Sequence, residues 1–309
     1  MVARTGSGLN EYFGNGVVPA GFVLGGTLDA TGNNTVTALG GADYILGTAA
    51  NDVIRPGAGD DYVNGGAGTD TISYSDATAA VTVSLALTTA QNTLGSGSDT
   101  ILNVERLEGS SFNDTLEGNE GANTVWGGTG VDTIFGRGGD DYLNGQDGAD
   151  LIEAGFGNDV LYGELGNDNL RGQRGNDLMV GGFGNDRMTG GKGDDIYVGG
   201  ANDDVFVWTQ ECLTLGTYTD VVVDMQAGDV ILHAWTVQSR IAGYAEATGL
   251  PEARQGVALN NDPSILDARV VLTTTLDSVT YTTTAWILDV GANSLEKVNT
   301  AAGPTIDFI

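Results

Sequence analysis

Fourteen aspartates recur at multiples of nine residues within two stretches of this chain. They are Asp43, Asp52, Asp61 and Asp70, then Asp114, Asp132, Asp141, Asp150, Asp159, Asp168, Asp177, Asp186, Asp195 and Asp204. Carboxylates in such numbers point to acid–base catalysis or to hard cations. They all sit in one repeated phrase, so taking any two of them as glycosidase acids over-interprets the pattern. The phrase is plainest at residues 181–200, GGFGNDRMTGGKGDDIYVGG. The chain carries a formal charge of −29 with only 12 lysines and arginines, so little cationic side chain is available to balance it.

The phrase must be positioned by a repeating element. Counted from Asp186, it recurs every nine residues from Gly109 to Val207, eleven times, and five more copies fill Asp29–Ser73. Position six is aspartate in fourteen copies and asparagine at Asn34 and Asn123, and position eight is always apolar or aromatic. Position four is usually glycine, with Ala50, Phe112 and Asn202 as exceptions. A period of nine fits a three-residue strand followed by a six-residue turn in which glycine supplies positive φ. Two facing strands make an eighteen-residue coil, and stacked coils bring the position-eight side chains into a thin core.

Stacking also aligns the carboxylates. Asp159, Asp177 and Asp195 fall in one column, and Asp150, Asp168, Asp186 and Asp204 in the other. Neighbours one strand spacing apart (about 4.8 Å) repel by roughly 1–3.5 kcal/mol per pair without a counter-ion. Summed along both columns, this rivals the stability of a domain. Oxygen-only columns suit hard divalent cations, calcium best. Capping of each turn by its own aspartate explains a single turn but not the common phase of fourteen.

The phrase GGxGxDxUx resembles the nonapeptide of the RTX (repeats-in-toxin) calcium-binding proteins. That resemblance implies an all-β fold, a calcium-bound parallel β-roll, with several Ca2+ ions between adjacent turns. The position-six aspartates and backbone carbonyls from positions one to four would hold them. Roles follow for Gly182, Gly184 and Asp186 with Gly199, Ala201 and Asp204, and for the equivalent positions along both blocks. The expected organisation is an N-terminal segment at 1–28, a first roll block at 29–73, a connector at 74–108, a second block at 109–207 and a mainly β C-terminal region at 208–309.

Several function classes drop out. No basic stripe offers a nucleic-acid interface. No run is long enough for a membrane span. Cys212 is the sole cysteine, so no intrachain disulfide forms. His233 is the sole histidine, which removes H-E-x-x-H and Ser/His/Asp chemistry, and no enzyme is expected. The beginning MVARTGSGLNEYFGNG has no apolar signal region. The segment TYTDVVVDMQAGDVILHAW resembles those that close RTX arrays, Ala234–Ala247 is expected to hold a short helix, and residues 268–290 read as two or three strands. The terminal IDFI is similar to the uncleaved signal of type I secretion substrates. Export by that machinery to an extracellular or cell-surface location is therefore expected.

Outward positions seven and nine alternate between two sheets. One sheet carries Tyr142, Val160, Tyr162, Leu178 and Ile196, whereas the other includes Glu153, Arg171 and Arg187. An apolar outer face of that length calls for a cover, either the rest of the chain or a second copy. The resulting expectation is a secreted structural protein that self-assembles with calcium, similar to RTX-type S-layer proteins or filaments. A secreted adhesin or carbohydrate-binding module is the alternative, and an accessory relative of an RTX hydrolase a third reading.

Overall fold

The computed structural model describes residues 2–6, 9, 11–14, 23–209, 218–224, 229–234, 266–276, 279–290 and 298–300. Every element among them is a β-strand. The chain divides into two compact units, Met1–Ala154 and Gly155–Ile309.

In the first unit the strands Val2–Thr5, Asn34–Thr37, Val53–Arg55, Thr71–Ser73, Arg106–Glu108, Thr124–Thr129 and Tyr142–Asp147 pair in parallel in that order. Facing them, Val23–Gly26, Glu11–Phe13, Tyr44–Leu46, Tyr62–Asn64 and Ser98–Leu102 form a second parallel ladder. A third ladder runs from Thr82–Ser84 through Thr115–Glu117 to Thr133–Gly138. Each strand sends one side chain inward. Val36, Ile54, Ile72, Leu107, Val125 and Leu143 make one fully buried file, and Phe13, Ile45, Val63 and Ile101 another. Outside, Tyr44 and Tyr62 stack at 4.5 Å with rings 6° from parallel.

Residues 74–108 lose the glycine phrase but not the stack. Their strands Ser98–Leu102 and Arg106–Glu108 prolong the ladders of the first block, and Thr82–Ser84 starts the third. Leu107 thus lies between Ile72 and Val125 in the core file. The stretch extends the sheets because Arg106, Leu107 and Glu108 offer the same polar–apolar–polar pattern as a repeat strand, with Leu107 buried between two partly exposed neighbours.

In the second unit Val160–Leu165, Leu178–Phe183, Ile196–Ala201 and Tyr218–Val222 form one parallel ladder. The strand Val279–Val290 continues it in parallel, and Leu266–Leu276 adds to that strand antiparallel. These are the strands expected within 268–290. The facing ladder is Asn169–Arg174, Arg187–Lys192, Val205–Thr209, Val230–Ala234 and Val298–Thr300. Leu161, Met179, Tyr197 and Val222 line the inside from one ladder, and Leu170, Met188 and Phe206 from the other, all fully buried. Tyr197 meets Phe206 edge-on at 5.9 Å. Ala234 ends a strand, and the rest of the expected helix, Cys212 and the terminal IDFI lie outside the described residues. No described helix is long and apolar enough to cross a membrane. Each unit is built of parallel stacked coils, the architecture expected of a β-roll.

Candidate metal centre

The turn between strands is set by two bends. In the phrases at 38–46, 56–64, 65–73 and all nine from 127 to 207, φ is positive at both position two and position four. Glycine occupies most of these places, as at Gly182 (φ +111°) and Gly184 (φ +131°). Arg137, Gln146, Glu164 and Gln173 nevertheless adopt φ of +72° to +79° at position two, and Asn202 holds +88° at position four. Asparagine tolerates that region better than other non-glycine residues, which lets the missing glycine at 202 leave the turn intact.

The bends turn each position-six carboxylate into the stack. One oxygen, Oδ1, accepts the backbone N–H of the position-six residue one coil earlier. In the first unit Asp43 donates to Asp61 (2.7 Å), Asp52 to Asp70 (2.7 Å), Asp114 to Asp132 (2.7 Å), Asn123 to Asp141 (2.7 Å) and Asp132 to Asp150 (2.7 Å). In the second, Asp159 donates to Asp177 (2.9 Å), Asp177 to Asp195 (3.0 Å), Asp168 to Asp186 (2.8 Å) and Asp186 to Asp204 (2.9 Å). All fourteen sequence-selected aspartates are buried in these columns.

The second oxygen carries the chemistry. Oδ2 of Asp43, Asp61, Asp70, Asp132, Asp177, Asp186, Asp195 and Asp204 is buried and accepts no hydrogen bond. A buried carboxylate oxygen without a donor costs several kcal/mol, about the scale at which it neutralises or takes a cation. Where the phrase begins with glycine, this oxygen sits over the Cα of position one. A Cβ built on Gly181 would land on Asp186 Oδ2 and lie 2.5 Å from the Gly199 carbonyl oxygen. Gly127 meets Asp132 Oδ2 and the Gly145 carbonyl in the same way, and Gly172 meets Asp177 Oδ2 and the Gly190 carbonyl. Glycine at position one therefore keeps open a cradle lined by a carboxylate and a carbonyl of the next coil.

The residues fit a calcium ion. Among the described residues no three acidic, histidine or cysteine side chains converge on one point. Each cradle is thus left to combine a few carboxylate oxygens with backbone carbonyls and water, a donor set that suits calcium's six to eight oxygens. Of the residues assigned with Asp186, Gly199 supplies the carbonyl above Gly181, while the Ala201 carbonyl accepts the Gly184 N–H at 3.1 Å. Asp52 and Asp114 differ from those eight, since both of their oxygens already accept hydrogen bonds.

The electrostatics agree. Burial pushes the carboxyls of Asp61, Asp177 and Asp195 up to about 8, those of Asp132 and Asp204 to about 7, and those of Asp43, Asp70 and Asp186 to about 6. Charged neighbours in the column add to the rise at Asp61, Asp132, Asp177 and Asp195, and the backbone N–H bonds oppose it.

Several column members were missed from sequence. Glu11, Asp99 and Glu105 take the position-six place: Glu11 donates to Asp43, and Asp61 and Asp70 donate to Asp99 and Glu105. Beyond residue 207 the sequence holds two further phrases, LGTYTDVVV and DMQAGDVIL, whose described strands Tyr218–Val222 and Val230–Ala234 continue the two ladders. Asp195 donates to Asp220 (3.2 Å) and Asp204 to Asp229 (2.9 Å), each across 25 residues rather than 18. Seven inserted residues and the loss of glycine from positions one and four hide these phrases, and the surviving signal is aspartate two places before an apolar residue. Asp220 Oδ2 is buried and accepts no hydrogen bond. Asp224, at position one, accepts the N–H groups of Gly199 (2.7 Å) and Gly200 (2.9 Å).

Stacked parallel coils with a carboxylate-lined cradle at the turns define a cation-loading β-solenoid. The family model described as RTX calcium-binding nonapeptide repeat (4 copies) matches overlapping stretches at 30–54, 37–72, 108–143, 135–170, 144–179 and 171–206. The chain therefore carries RTX-type calcium-binding nonapeptide repeats in two stretches, residues 30–72 and 108–206. No curated protein matches it.

Proposed function

We propose that this protein is a secreted, non-catalytic structural component that calcium folds and that then assembles with copies of itself through one apolar sheet face. The assembly reading rests on a single observation in the second unit. Val160, Leu178, Ile196 and Val221 form one outward row, and Tyr162, Val180 and Val198 the row beside it. Their side chains stay partly accessible, and Ile196 is 42% exposed. The strands Val279–Val290 and Leu266–Leu276 prolong this ladder sideways. Aliphatic rows of this kind in a chain of charge −29 are a place where a second copy gains burial without apposing carboxylates. In the first unit Tyr142 takes the same outward position and is 38% exposed.

The physics of the columns supports secretion. Where calcium is scarce, ionised carboxylates oppose the roll, and the chain stays unfolded enough for export. At the millimolar calcium of an extracellular space, binding to the folded form alone stabilises it by RT ln(1 + [Ca]/Kd). Electron microscopy of the purified protein is expected to show sheets or filaments with calcium that dissolve on chelation. Val160→Asp combined with Leu178→Asp is expected to abolish assembly while leaving the calcium-induced β signal and bound calcium at wild-type levels. Monomers of the wild-type protein in both conditions would sink the assembly reading, and an assembling double variant would exclude this face as the contact.

A further inference from the structure

Four nonapeptides lack the double positive-φ bend: 29–37, 47–55, 109–117 and 118–126. In each, the chain's own donors fill the place that the cradle leaves open elsewhere. The amide nitrogen of Asn34 donates to the position-one carbonyl of Asp29 (3.1 Å), the position-four carbonyl of Gly32 (2.9 Å) and Asp52 Oδ1 (2.7 Å). Asn34 Oδ1 in turn accepts the Asp29 N–H at 2.9 Å, so the amide is used in both directions. At Asp52, Oδ2 accepts the Thr48 N–H (2.8 Å) and hydroxyl (2.9 Å). At Asp114, Oδ2 accepts the Ser110 N–H (2.5 Å), and Oδ1 the Ser110 hydroxyl (2.8 Å). Asn123 Oδ1 accepts the Asn119 N–H at 2.7 Å. The non-repeat column member Asp99 is closed likewise, its Oδ2 accepting the hydroxyls of Tyr74 (2.9 Å) and Thr93 (3.1 Å).

We propose that the turns of Asn34, Asp52, Asp114 and Asn123 carry no ion, because Asn34, Thr48, Ser110 and Asn119 supply internal donors in place of the cation. A calcium ion needs anionic or carbonyl oxygens facing it, and N–H or O–H groups in the same space point positive hydrogens at it. No turn with the double bend occurs between Asp70 and Asp132. Loading is thereby split into a small bank at Asp43, Asp61 and Asp70 and a longer one beginning at Asp132. The intervening coils are held by hydrogen bonds that exist without calcium. Thr48 and Ser110 share one pattern: a hydroxyl at position two together with a residue other than glycine at position four.

This proposal rests on the calcium reading above, and equilibrium dialysis of the full chain at saturating calcium separates the two. Asp52→Asn and Asp114→Asn are expected to bind as many ions per chain as wild type, whereas Asp61→Asn and Asp132→Asn each lose at least one. Circular dichroism in calcium verifies that each variant folds. A lost ion in folded Asp52→Asn or Asp114→Asn overturns the proposal. Where either fails to fold, Thr48→Val or Ser110→Ala replaces it: an unchanged count supports internal capping, and a lost ion overturns it. If wild type itself binds no calcium, the calcium reading fails before this one is reached.

Discussion

Stripped of calcium at pH 8, the protein is expected to lose most of its β signal, and to regain a large part of it when the chelated sample is brought to pH 5. The direction follows from the column carboxyls. An aspartate titrates near 4 in an unfolded chain, whereas burial holds Asp43, Asp70 and Asp186 at about 6, Asp132, Asp204 and Asp220 at about 7, and Asp61, Asp177 and Asp195 at about 8 in the folded roll. Groups raised on folding bind protons more tightly in the native state, so they favour it fully below about pH 4 and progressively less as pH rises through 6 to 8. Protons and calcium thus compete for the same oxygens. The calcium concentration that half-saturates the folded roll is expected to fall as pH rises from 5 to 8, and binding to the folded roll to release protons. A working pH of 5 stays above the isoelectric point of about 4.1, where loss of net charge invites precipitation. Far-ultraviolet circular dichroism against pH in chelator is the measurement, and a β signal that grows from pH 5 to 8 would reverse the sign.

Gly184→Ala is expected to be among the most damaging single-methyl changes in the second unit. Its Cβ would fall on the carbonyl oxygen of Gly166 and within 3.0 Å of Asn167 Oδ1, and φ at this residue is +131°. Backbone strain of about 1–2 kcal/mol and overpacking of about 1–3 kcal/mol add at a place where the neighbour is backbone and cannot swing aside. A loss of about 3 kcal/mol is expected, seen as a drop in melting temperature in saturating calcium of several degrees. Asn202→Gly, where the chain already bends the same way, serves as the matched control and is expected to move the melting point little. A Gly184→Ala protein melting with wild type would show that the coils are less tightly stacked than their carbonyl contacts imply.

The coil, the inward file and the aspartate columns were legible because all three are periodic. A fixed nine-residue phase places Met188, Tyr197 and Phe206 in the core from the sequence alone. Glu105, Asp220 and Asp229 were not legible, because strand register is set by the hydrogen-bond ladder and survives insertions that break the phase. The capping by Thr48 and Ser110 was also hidden. It depends on which φ the turn adopts, and Ala50 and Phe112 signal only that glycine is missing. Position two was overlooked for the converse reason: Arg137, Gln146, Glu164 and Gln173 bend like glycine while looking nothing like it.

The coil also fixes how such a chain can lengthen or shorten. The eye reads nine residues, yet consecutive nonapeptides feed opposite ladders: Leu178 pairs with Ile196, and Arg187 with Val205. Excising eighteen residues, such as 172–189, would leave every later strand on its own side and merely shorten the array. Excising nine would transpose everything downstream, carrying the aliphatic rows to the side that presents Arg171 and Arg187. Growth and loss by whole coils preserve the polarity of the two faces, and any odd step leaves a molecule whose halves face opposite ways.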